Sequence, residues 1–205
     1  MPRGVIGLTG NIATGKSTVA GMLRDFGAVV INADQLAREV VQPGSPTLAA
    51  IVQHFGTHIL HDDGTLDRRA LGRIVFSDVT QLRALETIVH PPVRALLQER
   101  LARVPPDKVA VLEVIRLFEG GLDALCDAVW VTHCPETLQR ARLIRERGFT
   151  PEEAEQRIRI QTPPAEKIAR AHIVIDTSGT LEETRQQVER AWRAFLQQLE
   201  AKSLR

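Results

Sequence analysis

The sequence predicts an α/β fold in which a five-stranded parallel sheet is wound on both faces by helices and interrupted by a helical insertion. Three observations carry that expectation. Five short apolar runs, residues 5–9, 28–32, 109–114, 128–132 and 172–176, are continuous rather than alternating, as strands covered on both faces must be. Helical patterns fall between and after them, at 17–26 behind the first run and 181–199 at the end, and such alternation implies right-handed βαβ crossovers. The stretch from 33 to 108 is too long for one crossover and holds four helical patterns of its own, at 36–41, 47–55, 68–76 and 81–104. Turn chemistry punctuates that insertion at Pro43-Gly44-Ser45-Pro46 and Asp62-Asp63-Gly64, and Pro105-Pro106-Asp107 returns the chain to the sheet.

Composition narrows the function classes. With 205 residues, 43% of them hydrophobic, the chain can bury one α/β core plus a modest insertion. Its 26 basic and 25 acidic residues nearly cancel, which argues against a nucleic-acid or membrane-surface partner and requires any anionic ligand to be held locally. Cys126 and Cys134 flank an apolar run and read as small packing residues rather than a disulfide or metal pair. No apolar stretch reaches membrane-spanning length and the chain enters its first strand at once, so a cytoplasmic protein is expected. Trp130 and Trp192 read as packing.

The most specific motif is Gly10-Asn11-Ile12-Ala13-Thr14-Gly15-Lys16-Ser17, a G-x4-G-K-[ST] phosphate loop set between an apolar strand and a helix. By residue frequencies the pattern arises by chance in roughly one chain of this length in a hundred, and the strand and helix around it make chance rarer. Its glycines let the backbone turn and aim N–H groups at phosphate oxygens, Lys16 adds a charge for the β- and γ-phosphates, and Ser17 is a candidate Mg²⁺ ligand. The nucleotide-binding candidates are therefore Asn11, Ile12, Ala13, Thr14, Gly15, Lys16, Ser17 and Thr18, with ATP and Mg²⁺ as the expected cofactors. The loop predicts a P-loop NTPase fold serving an ATP-dependent phosphotransferase.

Phosphoryl transfer needs in-line positioning, neutralised charge and a group that orients the attacking oxygen. Asp34 follows the second apolar run, at the carboxyl end of a strand where ligands bind in doubly wound sheets. It is a candidate to orient the acceptor hydroxyl and take its proton late, or else the N-cap of the helix beginning near Gln35. Glu113 and Asp176 each end a strand-like run, and either could serve the Mg²⁺ shell or be an unrelated strand-end acid. Arg140, Arg142, Arg145 and Arg147 crowd one helix before Gly148-Phe149-Thr150-Pro151, which reads as a closing lid that delivers cations or as a solvated face. His54, His58 and His61 have metal-like spacing, but Gly56 argues against the continuous helix they would need.

These residues resemble the dephospho-CoA kinase family over nearly the whole chain. The resemblance rests on Gly7-Leu8-Thr9-Gly10, the loop through Thr18, Ala33-Asp34, Ala37-Arg38-Glu39-Val40-Val41, Pro43-Gly44, His54-Phe55-Gly56, Gly64-Thr65-Leu66, His90-Pro91, Leu117-Phe118-Glu119, Arg157 with Gln161, and Val174-Ile175-Asp176. It implies a nucleotide-binding core (1–34, 107–140 and 165–205), a helical substrate domain (35–106) and a lid (141–164). It further implies ATP with Mg²⁺ on the loop and phosphorylation of the ribose 3′-hydroxyl of dephospho-CoA, the small-molecule partner. Asp34 matches the family's proposed catalytic base, Lys16 lies in the loop, and Arg145 falls where the lid carries an arginine toward the phosphates, with Arg142 as the alternative.

Four departures stand against that pattern: Asn11 for a glycine, Asn32 for an aspartate, Ile115-Arg116 where proline and an apolar residue are common, and Thr177 for a frequent asparagine. Asn32 and Arg116 leave room for another nucleoside, nucleotide or small hydroxyl metabolite as acceptor. A nucleotide-responsive switch without transfer is the reading from another class; the chain has no N-K-x-D guanine motif and keeps Lys16, Ser17 and Asp34 together.

Overall fold

All five apolar runs form strands of one sheet in the computed structural model, which describes residues 2–203. They are β1 (Gly4–Gly10), β2 (Val29–Asn32), β3 (Val109–Glu113), β4 (Ala128–His133) and β5 (Ile173–Asp176), ordered β2-β3-β1-β4-β5. Strand β1 runs parallel to both β3 and β4, and β4 parallel to β5. The continuous apolar runs are explained by this order: β3 is buried along its whole length, β1 and β4 nearly so, while β2 and β5 at the edges are partly open.

The helices of the sheet-bearing unit are α1 (Lys16–Asp25), α6 (Glu136–Arg147), α7 (Pro151–Arg159), α8 (Pro164–Ala169) and α9 (Leu181–Ser203), with α6 and α7 packed on each other. Val19 and Leu23 of α1 and Val188, Trp192 and Phe195 of α9 pack with Ile6, Leu8, Val111, Trp130 and Ile175 in one core. At about 25 cal/mol per Å² of apolar surface, a wholly buried Trp130 or Leu8 contributes on the order of 2 kcal/mol. On the opposite face β1 has no side chain at Gly7, because Cys126 Sγ and Leu117 Cδ2 would lie 2.8 and 2.9 Å from a Cβ there. The packing role expected of Cys126 is met at this contact.

The chain divides into two compact units, one of the residues up to Ile31 and from Arg103 onward, the other Asn32–Ala102. The second holds α2 (Ala33–Glu39), α3 (Pro46–Phe55), α4 (Arg68–Ser77) and α5 (Val79–Ala102). Each of α2, α3 and α4 begins on a side-chain cap: Asn32 accepts from Gln35 N, Ser45 from Leu48 N ahead of Pro46, and Asp67 from Arg69 and Ala70 N. Val41, Ile51, Phe55, Ile59, Leu71 and Val75 form the core of this unit, with Leu82, Leu85 and Ile88 of α5 against it. Gly56, at φ 87°, ends α3 at Phe55, so His54 and His58 do not share a helix face.

Candidate active site

The phosphate loop leaves β1 at Gly10, whose φ of 155° brings its α-carbon against β4. A Cβ at Gly10 would stand 2.1 Å from Thr132 Oγ1 and 2.7 Å from the Thr132 carbonyl oxygen, so only glycine fits. Gly15, at φ 77°, is the N-cap of α1 and contributes no side chain to it, leaving the first-turn N–H groups directed to the loop's interior.

Each turn of the loop is fastened to a different element. Thr14 Oγ1 donates to Asn11 O and pairs with Thr132 Oγ1, both at 2.8 Å. Thr177 Oγ1 donates to Thr14 O at 2.9 Å, and Arg142 Nη1 to Ala13 O at 3.1 Å, where Ala13 holds a positive φ of 58°. Ile12 N donates to Gln161 Oε1 at 2.7 Å, and Asn11 Nδ2 to Thr162 O at 3.0 Å. Four separate segments thus hold a loop that has no regular secondary structure of its own.

Of the two strand-end acids, Glu113 is the one beside the loop. The register pairs Leu8 with Glu113, so β3 ends next to the start of the loop. Glu113 is 4% exposed, and its Oε1 accepts from Lys16 Nζ at 2.9 Å and from Ser17 Oγ at 2.7 Å. Asp176 lies two strands away on β5 and accepts from Ser178 N at 2.8 Å; that bond, with the Ser178 side chain, holds its carboxyl below the usual range.

A cavity of about 510 Å³ opens over the loop, lined by Asn11 through Thr18 together with Arg142, Arg145, Thr177, Gly179 and Leu181. Arg142 and Arg145 both line it but differ in freedom. Arg142 is half-buried, donating to Ala13 O and, at 2.6 Å, to Thr177 O. Arg145 has an 80% exposed side chain paired with Glu146 at 2.9 Å. Arg140 pairs with Glu155 of α7.

Asp34 lies in the other unit, half-buried in the first turn of α2. It is not the cap of that helix: Asn32 Oδ1 accepts Gln35 N at 2.9 Å, and the helix begins at Ala33. The capping alternative for Asp34 is therefore overturned, because Asn32 already satisfies the first-turn donor.

Sequence reasoning did not foresee the grip of Gln161, Thr162, Arg142 and Thr177 on the loop, although Gln161, Arg142 and Thr177 had been singled out for other reasons. Nor did it foresee Lys167, which is 2% exposed and donates to Ile115 O at 2.8 Å. Among the described residues no group of three or more His, Cys, Asp or Glu could hold a metal ion by itself.

Comparison with known proteins now decides the family. The dephospho-CoA kinase family profile matches residues 4–183. The chain belongs to the dephospho-CoA kinase family. It is 49% identical to the dephospho-CoA kinase of Symbiobacterium thermophilum over 93% of this chain and 80% of that one. Its structure resembles a Thermus thermophilus protein of known structure at 37% identity and a TM-score of 0.82, covering 97% of this chain and 99% of that one. It also resembles the dephospho-CoA kinase of Campylobacter jejuni at 25% identity and a TM-score of 0.68, with 95% and 98% covered. The expected P-loop fold and kinase class hold, and membership of a kinase family implies use of ATP.

Within this dephospho-CoA kinase family member, each departure has a structural account. Asn11 clasps the loop to Thr162. Asn32 caps α2. Arg116 is exposed rather than buried, so its charge carries no burial penalty. Ile115 O accepts from Thr9 Oγ1 at 2.9 Å and from Lys167 Nζ, two bonds that fix the backbone where proline is common. Thr177 Oγ1 is fully engaged by Thr14 O, His133 O and Arg142.

Proposed function

We propose that this protein transfers the γ-phosphoryl group of ATP to the ribose 3′-hydroxyl of dephospho-CoA, giving coenzyme A and ADP. The observation that carries the reading is the convergence of Lys16 Nζ and Ser17 Oγ on Glu113 Oε1 inside a loop shaped for phosphate.

In this reading the N–H groups of the loop and of the first turn of α1 receive the β-phosphate, and Lys16 turns from Glu113 toward the transferred group. The oxygen donors of Ser17 and Glu113 suit a hard cation, so these two residues would hold Mg²⁺, Glu113 directly or through water. Bound there, the ion supplies charge neutralisation to the phosphates. Arg145, with its exposed guanidinium, is the lid cation that meets the transferred phosphoryl, while Arg142 keeps the loop closed against Thr177. Asp34 orients the acceptor hydroxyl and takes its proton late in the transfer.

Residues 35–106, most of which fall in the compact unit Asn32–Ala102, are read as the acceptor-binding domain and residues 141–164 as the lid. Asn32 and Arg116, the residues that left room for a different acceptor, are accounted for by a helix cap and by an exposed surface position. No helix among the described residues is long and apolar enough to cross a membrane. In this reading the enzyme works in the cytoplasm on a small-molecule substrate.

The test is ATP-dependent formation of coenzyme A from dephospho-CoA by the intact protein with Mg²⁺, followed by mass spectrometry. Absence of product, or preferred transfer to another acceptor in a panel of nucleosides and hydroxyl metabolites, would overturn it.

A further inference from the structure

Behind the phosphate loop, two side-chain carbonyl oxygens are buried without a donor among the described residues. Asn11 is 7% exposed and its Nδ2 donates to Thr162 O; Gln139 of α6 is 1% exposed and its Nε2 donates to Cys134 O at 3.1 Å. Those donations fix which way each amide faces. Asn11 Oδ1 and Gln139 Oε1 then accept no hydrogen bond among the described residues.

The two residues line the same small cavity, about 10 Å³, with Thr14, Thr132 and Lys167 around it. They also line an adjoining cavity of about 300 Å³ between α6, α7 and the 161–164 segment, which gives a route in. A buried acceptor left unmatched carries its full desolvation cost, and this volume admits a single water-sized occupant. The occupant must donate twice. A monovalent cation would also suit two amide oxygens, but Lys167 lines the same cavity and sets a like charge near it, its ammonium held by Ile115 O with Glu119 3.8 Å away.

We propose that this cavity is a binding site for one water molecule, which donates to Asn11 Oδ1 and Gln139 Oε1 and makes Gln139 a positioning residue for the phosphate loop. The water links the loop to α6 at the point where the Asn11 side chain already clasps Thr162. The positioning half rests on the loop's binding of ATP proposed above; the site itself does not.

A crystal structure of the intact protein at high resolution, with a second crystal soaked in rubidium chloride, tests the site. One ordered solvent atom within hydrogen-bond distance of both oxygens, without anomalous signal from rubidium, is expected. An anomalous peak there would replace the water by a cation, and the absence of ordered density would remove the site. For the positioning role, Gln139→Met keeps length and apolar volume but removes the acceptor, together with the Nε2 donor to Cys134 O. ATP affinity by calorimetry should fall about fivefold, with kcat at saturating ATP within about twofold of the parent. Unchanged affinity in a folded variant would overturn the role of Gln139. Calorimetry and density need no turnover, so a failure of the kinase reading would be seen separately, in the product assay.

Discussion

Lys16 Nζ lies 2.9 Å from Glu113 Oε1, and the two side chains are only 10% and 5% exposed. The pair joins the last residue type of the phosphate-loop motif that carries charge to the end of the neighbouring strand. A buried ion pair is weak evidence of stability, since desolvating two charges offsets much of their attraction. Its retention next to a phosphate loop points instead to two groups held ready for an anion and a cation.

Removing one member exposes that logic. Lys16→Met leaves Glu113 buried without its ammonium partner, and should cost about 3 kcal/mol of unfolding free energy. Lys16→Met with Glu113→Gln should recover most of that loss while neither variant transfers phosphate. Chemical denaturation with a product assay checks both; a double variant no more stable than the single one would contradict the pairing.

Gly10→Ala should abolish nucleotide binding while leaving the second unit folded. The added methyl would meet Thr132 Oγ1 at 2.1 Å and its carbonyl oxygen at 2.7 Å, so β1 or β4 must shift. Calorimetric ATP binding together with circular dichroism separates a damaged loop from an unfolded chain.

How much of this was legible can be judged from these residues. The strands were, because sheet burial writes itself into local sequence as continuous apolar runs, and the loop was, because its chemistry sits within eight consecutive residues. Glu113 and Asp176 looked alike as strand-end acids. What separates them is the strand order, which places β3 but not β5 beside β1, and that order is set by long-range packing. The contacts of Ile12 with Gln161 and of Ala13 with Arg142 join residues more than a hundred positions apart and leave no local signal. For Asp34 the sequence left capping and catalysis both open, because Asp is a good N-cap, and only the placement of the first helical turn gives the cap to Asn32.

That assignment separates two neighbouring variants. Asn32→Ala removes the acceptor for Gln35 N and should destabilise the protein by about 1 kcal/mol, with activity retained where the protein is folded. Asp34→Asn keeps the helix and its cap and should lower kcat by about a hundredfold or more, the scale of a lost general base. Thermal unfolding with steady-state kinetics on both variants checks the division; normal turnover by Asp34→Asn would remove Asp34 from the chemistry.

The cysteines give a prediction on the alkaline side. Burial pushes the Cys126 thiol up from its usual 9.0 to about 12, aided by Asp123 and Asp127, and burial also raises Cys134 despite the nearby Arg142. Since the folded chain holds these thiols neutral, their contribution to stability is whole below pH 9, where the unfolded chain is also protonated. For Cys126 it is lost as pH rises from 9 toward 12, because only the unfolded state then releases its proton. The native protein should therefore react with a disulfide reagent at pH 8 far more slowly than the denatured one. Cys126→Ala should flatten the decline in unfolding free energy above pH 9. Rapid labelling of Cys126 in the folded protein at pH 8, with circular dichroism unchanged, would show that the thiol is not held in the packed face between Gly7 and Leu122.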